Sequence, residues 1–117
     1  MATDWATLPA SFEIWVLDGE SPGTMSASLA LDIRTDHVIV WSVAVATSAQ
    51  RRGLGRAMTA WAEDRARKLG RQELRLFTNA RMTRSISLYR QLGCLETHRE
   101  TLADRVLVHM AKSVPER

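Results

Sequence analysis

Apolar and polar positions alternate along the first part of the chain, which predicts β-strands there. Residues 11–17, SFEIWVL, are rich in aromatic and β-branched side chains and precede a turn that contains Gly and Pro. Residues 25–33 alternate regularly, as in a half-buried strand. Residues 37–46 are nearly all apolar, which is typical of a central strand covered on both faces. The short turns between these segments predict an antiparallel meander.

The period of the apolar positions changes after this meander. Residues 54–69 carry apolar side chains at helical spacing, and Gly70 is a suitable helix stop. Residues 73–78 return to a strand pattern, and residues 83–92 return to a helical one. The chain closes with two predicted strands that form a hairpin around Ala103 and Asp104, and these strands cover residues 94–102 and 104–113.

The predicted element order is therefore β-β-β-α-β-α-β-β. A β-α-β crossover places its two strands parallel, so residues 37–46 and 73–78 are expected to be a parallel pair. The hairpins on either side are antiparallel. This order predicts an α/β fold with a mixed, mostly antiparallel sheet, in a single domain that spans residues 1–117.

The basic residues are concentrated in the middle of the chain. Residues 51–90 hold 11 Lys and Arg against the acidic Glu63, Asp64 and Glu73, a balance of +8, and the remainder of the +3 chain sums to −5. This asymmetry favours an anionic partner at the basic centre. A set of solvated helix faces is the alternative.

Other features of the composition narrow the class of protein. A single cysteine excludes an intrachain disulfide and favours a reducing compartment, so we expect a cytoplasmic location. No apolar run approaches the roughly 20 residues of a membrane span, and the first residues do not resemble a signal peptide. We therefore expect no membrane partner.

The segment QRRGLGRA, Gln50 to Ala57, joins a predicted strand to a predicted helix. The N–H groups of a helix N-terminus attract anions, and glycines let the backbone approach a phosphate closely. The spacing matches neither the Walker pattern nor the dinucleotide-binding fingerprint, because no Gly-Lys-Ser/Thr follows and Met58 occupies the third glycine position. A phosphate-binding turn and an ordinary basic turn both remain open on this pattern alone.

Two motifs resemble those of the GNAT superfamily of N-acetyltransferases. VAVATSAQRRGLGRAM, with Gln50, Gly53 and Gly55, is similar to the acyl-CoA-binding signature Gln/Arg-x-x-Gly-x-Gly/Ala. SLYRQLGCLETHRE resembles the later Leu-Tyr-x-x-x-Gly-Phe segment, with Cys94 in place of Phe. The resemblance covers roughly residues 11–113. On this resemblance we expect a short form that lacks the usual N-terminal strand and two helices of the family.

The resemblance implies a binding site for acetyl-CoA. Three residues would line the CoA arm with their backbone: Val43, Ala44 and Val45. The pyrophosphate would be held mostly by backbone N–H groups, from Arg51, Arg52, Gly53, Leu54, Gly55 and Arg56. Gln50 would order the turn. Asn79 and Ser85 are further candidates, each either for contact with the cofactor or for local capping.

The resemblance also implies the catalytic chemistry. Tyr89 matches the family tyrosine that protonates the departing thiolate, and a backbone N–H near Val45 would stabilise the oxyanion. The family's glutamate base corresponds here to Phe77. Glu13, His37, a water chain or no dedicated base therefore all remain open.

Three other reactive side chains have plainer expected roles. His98 and His109 lie on the terminal strands without a further ligand at metal spacing, so they are interpreted as structural or exposed and no metal is expected. Cys94 is expected to fill the core rather than act as a nucleophile.

The function that these features favour is acetyl-CoA-dependent acetylation of an unidentified primary amine. A non-catalytic CoA-binding module with a reduced acceptor site is the alternative. A nucleic-acid partner is not expected, because a strand separates the two helices and so argues against a helix-turn-helix. The missing N-terminal elements leave an open acceptor site, a second subunit that supplies the missing wall, or a reduced relative that acetylates poorly as possibilities. The second of these favours a homodimer.

Overall fold

The computed structural model describes residues 11–19, 23–46 and 53–115. Within these residues, two helices pack on one six-stranded sheet, in the element order that the sequence predicts. The elements are β1 (Phe12–Asp18), β2 (Met25–Ile33), β3 (His37–Val45), α1 (Leu54–Lys68), β4 (Glu73–Asn79), α2 (Thr83–Gln91), β5 (Leu95–Thr101) and β6 (Val106–Ser113). None of the described helices is long and apolar enough to cross a membrane.

The order of strands across the sheet is β1-β2-β3-β4-β6-β5. Strands β3 and β4 are parallel neighbours, and the other four neighbouring pairs are antiparallel. The predicted mixed sheet with a central parallel pair is thus confirmed. The physical reason is the β3-α1-β4 crossover, which returns the chain to the same end of the sheet before the next strand begins.

Both helices lie on the same face of the sheet. Crossovers between parallel strands are right-handed, and β3-α1-β4 and β4-α2-β5 both advance in the same direction across the sheet. The start of α1 meets α2, since a Cβ placed on Gly55 would lie 3.6 Å from Cδ2 of Leu88. The helices cover a core of alternating strand residues, and its largest fully buried apolar side chains are Leu29, Leu31, Val38, Leu74, Val108 and Met110.

The opposite face carries a row of ring side chains and, among the described residues, no helix. We call this set the aromatic row, and its members in spatial order are Phe12, Trp41, Phe77, His109 and His98. Successive ring centroids are 5.8, 5.1, 5.8 and 4.2 Å apart. Trp41 remains 46% exposed, so the expectation that this strand is covered on both faces is wrong for its second half.

An ion pair fastens the edge strand β1 to helix α1. The Arg65 guanidinium donates to both carboxylate oxygens of Glu13, at 2.8 and 2.7 Å, and the Trp15 indole donates to the same carboxylate at 3.1 Å. Hydrogen bonding from Arg65 lowers the pKa of Glu13 below its ordinary value, against the opposing effect of burial. Arg65 also lies 5.6 Å from the centre of the Trp15 ring.

Replacing Glu13 with Gln is expected to lower the free energy of unfolding by about 1 kcal/mol at pH 7, because a partly exposed bidentate pair is lost. A carboxyl whose pKa is lowered by folding stabilises the protein above its unfolded pKa, near about 4.3. That contribution disappears as the pH falls through the folded pKa. The loss is therefore expected to be smaller at pH 3 than at pH 7, as measured by urea denaturation.

Asp104→Asn is the matched control, because this exposed carboxylate contacts only its neighbour Arg105 among the described residues. It is expected to change stability by less than about 0.5 kcal/mol. An equal loss for Glu13→Gln at pH 3 and pH 7 would assign the role of Glu13 to packing instead of charge.

Candidate active site

The parallel strands β3 and β4 separate part of the way along their length. They pair from His37 opposite Glu73 to Val40 opposite Leu76, but β3 continues to Val45 and β4 to Asn79. Beyond the last pair, each strand is still held by its outer neighbour, β3 by β2 and β4 by β6. A gap therefore opens between the carboxyl ends of the two central strands. Such ends are where open α/β sheets bind ligands.

A β-bulge lies at the point where the strands separate. Ala30 pairs with Ser42 and Leu31 pairs with Val40, so Trp41 is an extra residue in β3. A bulge bends its strand and increases the local twist. The bulge thus supplies the physical reason why β3 leaves β4 directly after Val40.

Backbone groups of β3 line the gap. The Ala46 N–H donates to the Ser26 carbonyl at 2.8 Å, which fixes the alternation of the antiparallel ladder with β2. By this alternation Ala44 bonds toward β2, while the backbones of Val43 and Val45 are directed toward the gap. Of the three residues expected to line a CoA arm, the geometry favours Val43 and Val45.

Helix α1 starts at the same end of the sheet as the gap. Gly53 precedes it with φ of 76°, and the first helical bond runs from the Ala57 N–H to the Gly53 carbonyl at 3.0 Å. No side chain among the described residues caps this terminus, and its first turn has no acidic residue. The N–H groups of Leu54, Gly55 and Arg56 lie in this first turn, where intrahelical partners are lacking.

The predicted phosphate turn extends beyond this helix start on its N-terminal side. Gln50, Arg51 and Arg52 lie outside the described residues. The side chain of Arg56 is exposed and donates to Oε1 of Gln91 at 3.1 Å, so it links α1 to the end of α2.

Helix α2 presents a second uncapped N-terminus close to the end of β4. Asn79 accepts a hydrogen bond from the Arg81 N–H at 2.9 Å, which is the local turn role that the sequence left open for it. No described side chain caps the helix, and no acidic residue lies in its first turn. Ser85 is half-buried within that turn, and Arg81 and Arg84 are exposed beside it. The positive end of α2 and two exposed arginines thus lie beside the end of β4.

Tyr89 lies on α2 and packs against the hydrophobic core. Burial raises the pKa of its phenol, with a smaller contribution from Cys94, so the hydroxyl is protonated at neutral pH. The fully buried Cys94 also has a raised pKa, chiefly because of desolvation. A buried neutral thiol is a poor nucleophile, in agreement with its expected role in the core.

Neither side chain named from the sequence as a possible base is well placed. Glu13 lies on the helix-covered side of the sheet, where both of its oxygens are bonded to Arg65. His37 begins β3, at the opposite end of the strand from the gap, and its Nδ1 lies 2.6 Å from Asp36. The geometry therefore favours neither group for deprotonation of an acceptor.

The structure instead brings together two histidines that the sequence treated separately. The imidazoles of His98 and His109 are parallel within 8° and their centres are 4.2 Å apart. Nε2 of His109 lies 3.0 Å from Oε1 of Glu100. A signal existed in the sequence, since a hairpin centred on residues 103 and 104 places position 98 opposite position 109.

Comparisons with known proteins show which family and which solved structures this chain is similar to. A model of the acetyltransferase (GNAT) family matches residues 2–94. The ribosomal-protein-S18-alanine N-acetyltransferase from Escherichia coli superposes with a TM-score of 0.79 at 25% identity, over 93% of this chain and 73% of that one.

Two further solved structures share the fold at lower sequence identity. Nourseothricin acetyltransferase has a TM-score of 0.81 at 21% identity, over 91% of this chain and 67% of that one. A GNAT acetyltransferase from Elizabethkingia anophelis with acetyl-CoA bound has a TM-score of 0.74 at 14% identity, over 88% and 76%. A comparison with curated proteins gave no match.

Proposed function

This chain belongs to the GNAT family of acetyltransferases, and from that premise we propose that it transfers the acetyl group of acetyl-CoA directly to a primary amine. The observation that carries this proposal is the gap between β3 and β4 beside the start of α1, which no described side chain caps. A gap between strands accommodates an extended thioester arm, and a helix N-terminus accommodates a phosphate.

The residues around the gap fit acetyl-CoA chemically. The arm of CoA contains amide groups, and the backbones of Val43 and Val45 are directed toward the space that the arm would occupy. The pyrophosphate is an anion, and the first turn of α1 combines N–H groups that lack an intrahelical partner with the absence of acidic side chains. We assign the N–H groups of Gly53, Leu54 and Gly55 to this role, together with the adjoining Arg51 and Arg52 of the predicted turn.

In the proposed reaction, one group stabilises the negative charge that develops on the carbonyl oxygen and another donates a proton to the leaving thiolate. The amine attacks the thioester carbon, a C–N bond forms and the C–S bond breaks. A backbone N–H from the second half of β3 stabilises the negative charge on the carbonyl oxygen. The Tyr89 hydroxyl donates its proton to the thiolate, and the raised pKa of the phenol keeps that proton available at neutral pH.

We test the proposal by titrating the protein with acetyl-CoA and then measuring thiol release in the presence of amines. The panel contains an alanine-initiated peptide and nourseothricin, because two structural neighbours are an S18-alanine N-acetyltransferase and a nourseothricin acetyltransferase. It also contains spermidine, a lysine peptide and simple alkylamines. We expect saturable binding of acetyl-CoA and amine-dependent release of thiol. Binding without release on any of these amines would instead support a CoA-binding module.

The assembly and location of the chain form part of the same proposal. We propose that the chain forms a homodimer and is located in the cytoplasm. Sedimentation of the protein with and without CoA measures the first, and a monomer under both conditions would contradict it.

A further inference from the structure

The proposed reaction requires a group that removes a proton from the acceptor. An alkylamine is mostly protonated at pH 7, since its pKa is near about 10.4, and the ammonium form cannot attack a carbonyl. The amine nitrogen loses two protons on its way to the amide. One replaces the proton that Tyr89 gives to the thiolate, and the other needs an acceptor on the protein or in water.

His109 lies on the face of the sheet that is free of described helices, next to the gap. It pairs with Phe77 across β4 and β6, and the ring of Phe77 meets Trp41, the bulge residue where the gap begins. The step from Trp41 to Phe77 is 5.1 Å and that from Phe77 to His109 is 5.8 Å. The imidazole thus lies one strand away from the gap on this open face, with the ring of Phe77 between them.

The hydrogen bond to Glu100 fixes which nitrogen of His109 carries the proton. An ionised carboxylate only accepts hydrogen bonds, so Nε2 must donate across the 3.0 Å contact. In the neutral imidazole, Nδ1 then keeps its lone pair and is the basic nitrogen. The carboxylate thereby holds the ring in one tautomer and orientation, as the aspartate of a catalytic triad does.

The surroundings of His109 leave it accessible. It borders an open cavity of about 290 Å³ on this face, and the charged and titratable groups that face it are His98 and Glu100 from β5 and Arg75 from β4. Arg75 is itself paired with Glu73.

Two other titratable groups among the described residues, Asp32 and His98, are less well placed to take a proton from the acceptor. Asp32 is fully buried and bonded to Arg34. His98 lies on the edge strand β5, one strand further from the gap than His109. The Thr97 hydroxyl donates to the His109 carbonyl at 3.2 Å, so it accepts from Nδ1 of His98.

We infer that His109, held by Glu100, is the base that takes one proton from the acceptor ammonium through bound water. This inference rests on the proposed function. In the balanced step, the ammonium gives a proton to water as that water gives one to Nδ1 of His109. The free amine then forms the C–N bond, and the imidazolium later returns its proton to solvent.

The kinetic test compares His109→Gln with the matched control His98→Gln, using the panel amine that the unmodified protein acetylates fastest. The Gln amide can still donate to Glu100 but cannot take a proton. We expect His109→Gln to lower kcat/KM at pH 7 by about tenfold or more, less than a directly contacting base because solvent replaces part of its role. The Kd for acetyl-CoA stays unchanged, and His98→Gln changes kcat/KM by less than about twofold.

The pH profile separates a base from a packing residue. As the pH approaches the pKa of the amine, solvent supplies the unprotonated amine and the deficit of His109→Gln is expected to vanish, above about pH 10 for an alkylamine. A deficit that persists equally at every pH, or one shared equally by His98→Gln, would overturn the assignment.

A second measurement does not depend on activity. In the ¹⁵N-histidine NMR spectrum of the unmodified protein, the neutral form of His109 is expected to be protonated at Nε2 and unprotonated at Nδ1, with assignment by the His109→Gln spectrum. Glu100→Gln is expected to abolish this fixed preference. Protonation at Nδ1 would overturn the inference. If no panel amine releases thiol, the proposed function fails on that result, and the NMR measurement still decides which nitrogen is basic.

Discussion

Replacing Tyr89 with Phe is expected to lower kcat by about ten- to a thousandfold, while CoA binds with nearly unchanged affinity. The ring remains to pack against the core, so the change removes little beyond the hydroxyl proton. Without that proton, the C–S bond must break to give an unprotonated thiolate. Steady-state kinetics of thiol release and calorimetric titration with CoA measure the two quantities.

Ser87→Ala is the matched control for this variant, because it removes an exposed hydroxyl from the same helix, α2. It is expected to leave kcat within about twofold of the unmodified value. Equal turnover in Tyr89→Phe would sink the acid role and leave Tyr89 as a packing residue.

The raised pKa of Tyr89 sets the pH dependence of its contribution. Burial disfavours the phenolate, so the phenol stays protonated at pH values above its ordinary pKa of about 10. Loss of the acid with rising pH is therefore expected only above about pH 10. If kcat of the unmodified protein fell with rising pH near neutrality and Tyr89→Phe did not show this fall, the raised pKa of the phenol would be contradicted.

Replacing Gly53 with Val is expected to weaken CoA binding by about tenfold to a hundredfold, with a loss of about 1–3 kcal/mol in stability. Gly53 has φ of 76°, and a Cβ added there would meet no heavy atom of the described residues within 4 Å, so the expected strain arises from the backbone. A β-branched residue resists this conformation, and a shift of φ would reorient the N–H groups of the first turn of α1. The Kd for CoA and the urea midpoint are the measurements.

Gly70→Val provides a matched control for the strain. Gly70 lies just past the other end of α1, with φ of 72° and similarly open space around a Cβ. It is expected to cost similar stability without changing the Kd for CoA. Equal losses of affinity in both variants would show that Gly53 acts through folding alone.

Two further variants distinguish backbone N–H groups from the Arg51 side chain as the source of CoA affinity. Arg51→Ala is expected to weaken binding less than Gly53→Val, because backbone N–H groups are proposed to hold the pyrophosphate. Gly55→Val is also expected to exceed Arg51→Ala. There the added side chain would approach both the ligand and Leu88, which a Cβ would meet at 3.6 Å. An Arg51→Ala loss larger than either would move the recognition to the guanidinium.

The candidate site could be predicted from sequence where a local motif carried it. Gly53 and Tyr89 were named from two short patterns, and both lie at or on helices that begin beside the gap. The proposed base could not be named in this way. The contact between Glu13 and Arg65 spans 52 positions, and the side-chain contact of Glu100 with His109 depends on the register of a hairpin.

The sequence by itself determined the order and type of the elements, because helical and strand periodicities are local and each segment carries its own. It also determined the parallel pairing of β3 and β4, because a right-handed crossover allows little else. Only the tertiary structure decided where these strands separate, since the bulge at Trp41 appears as a shift against β2. It likewise decided that Trp41, Phe77 and His109 share one face, because side chains on different strands meet only once the register is set.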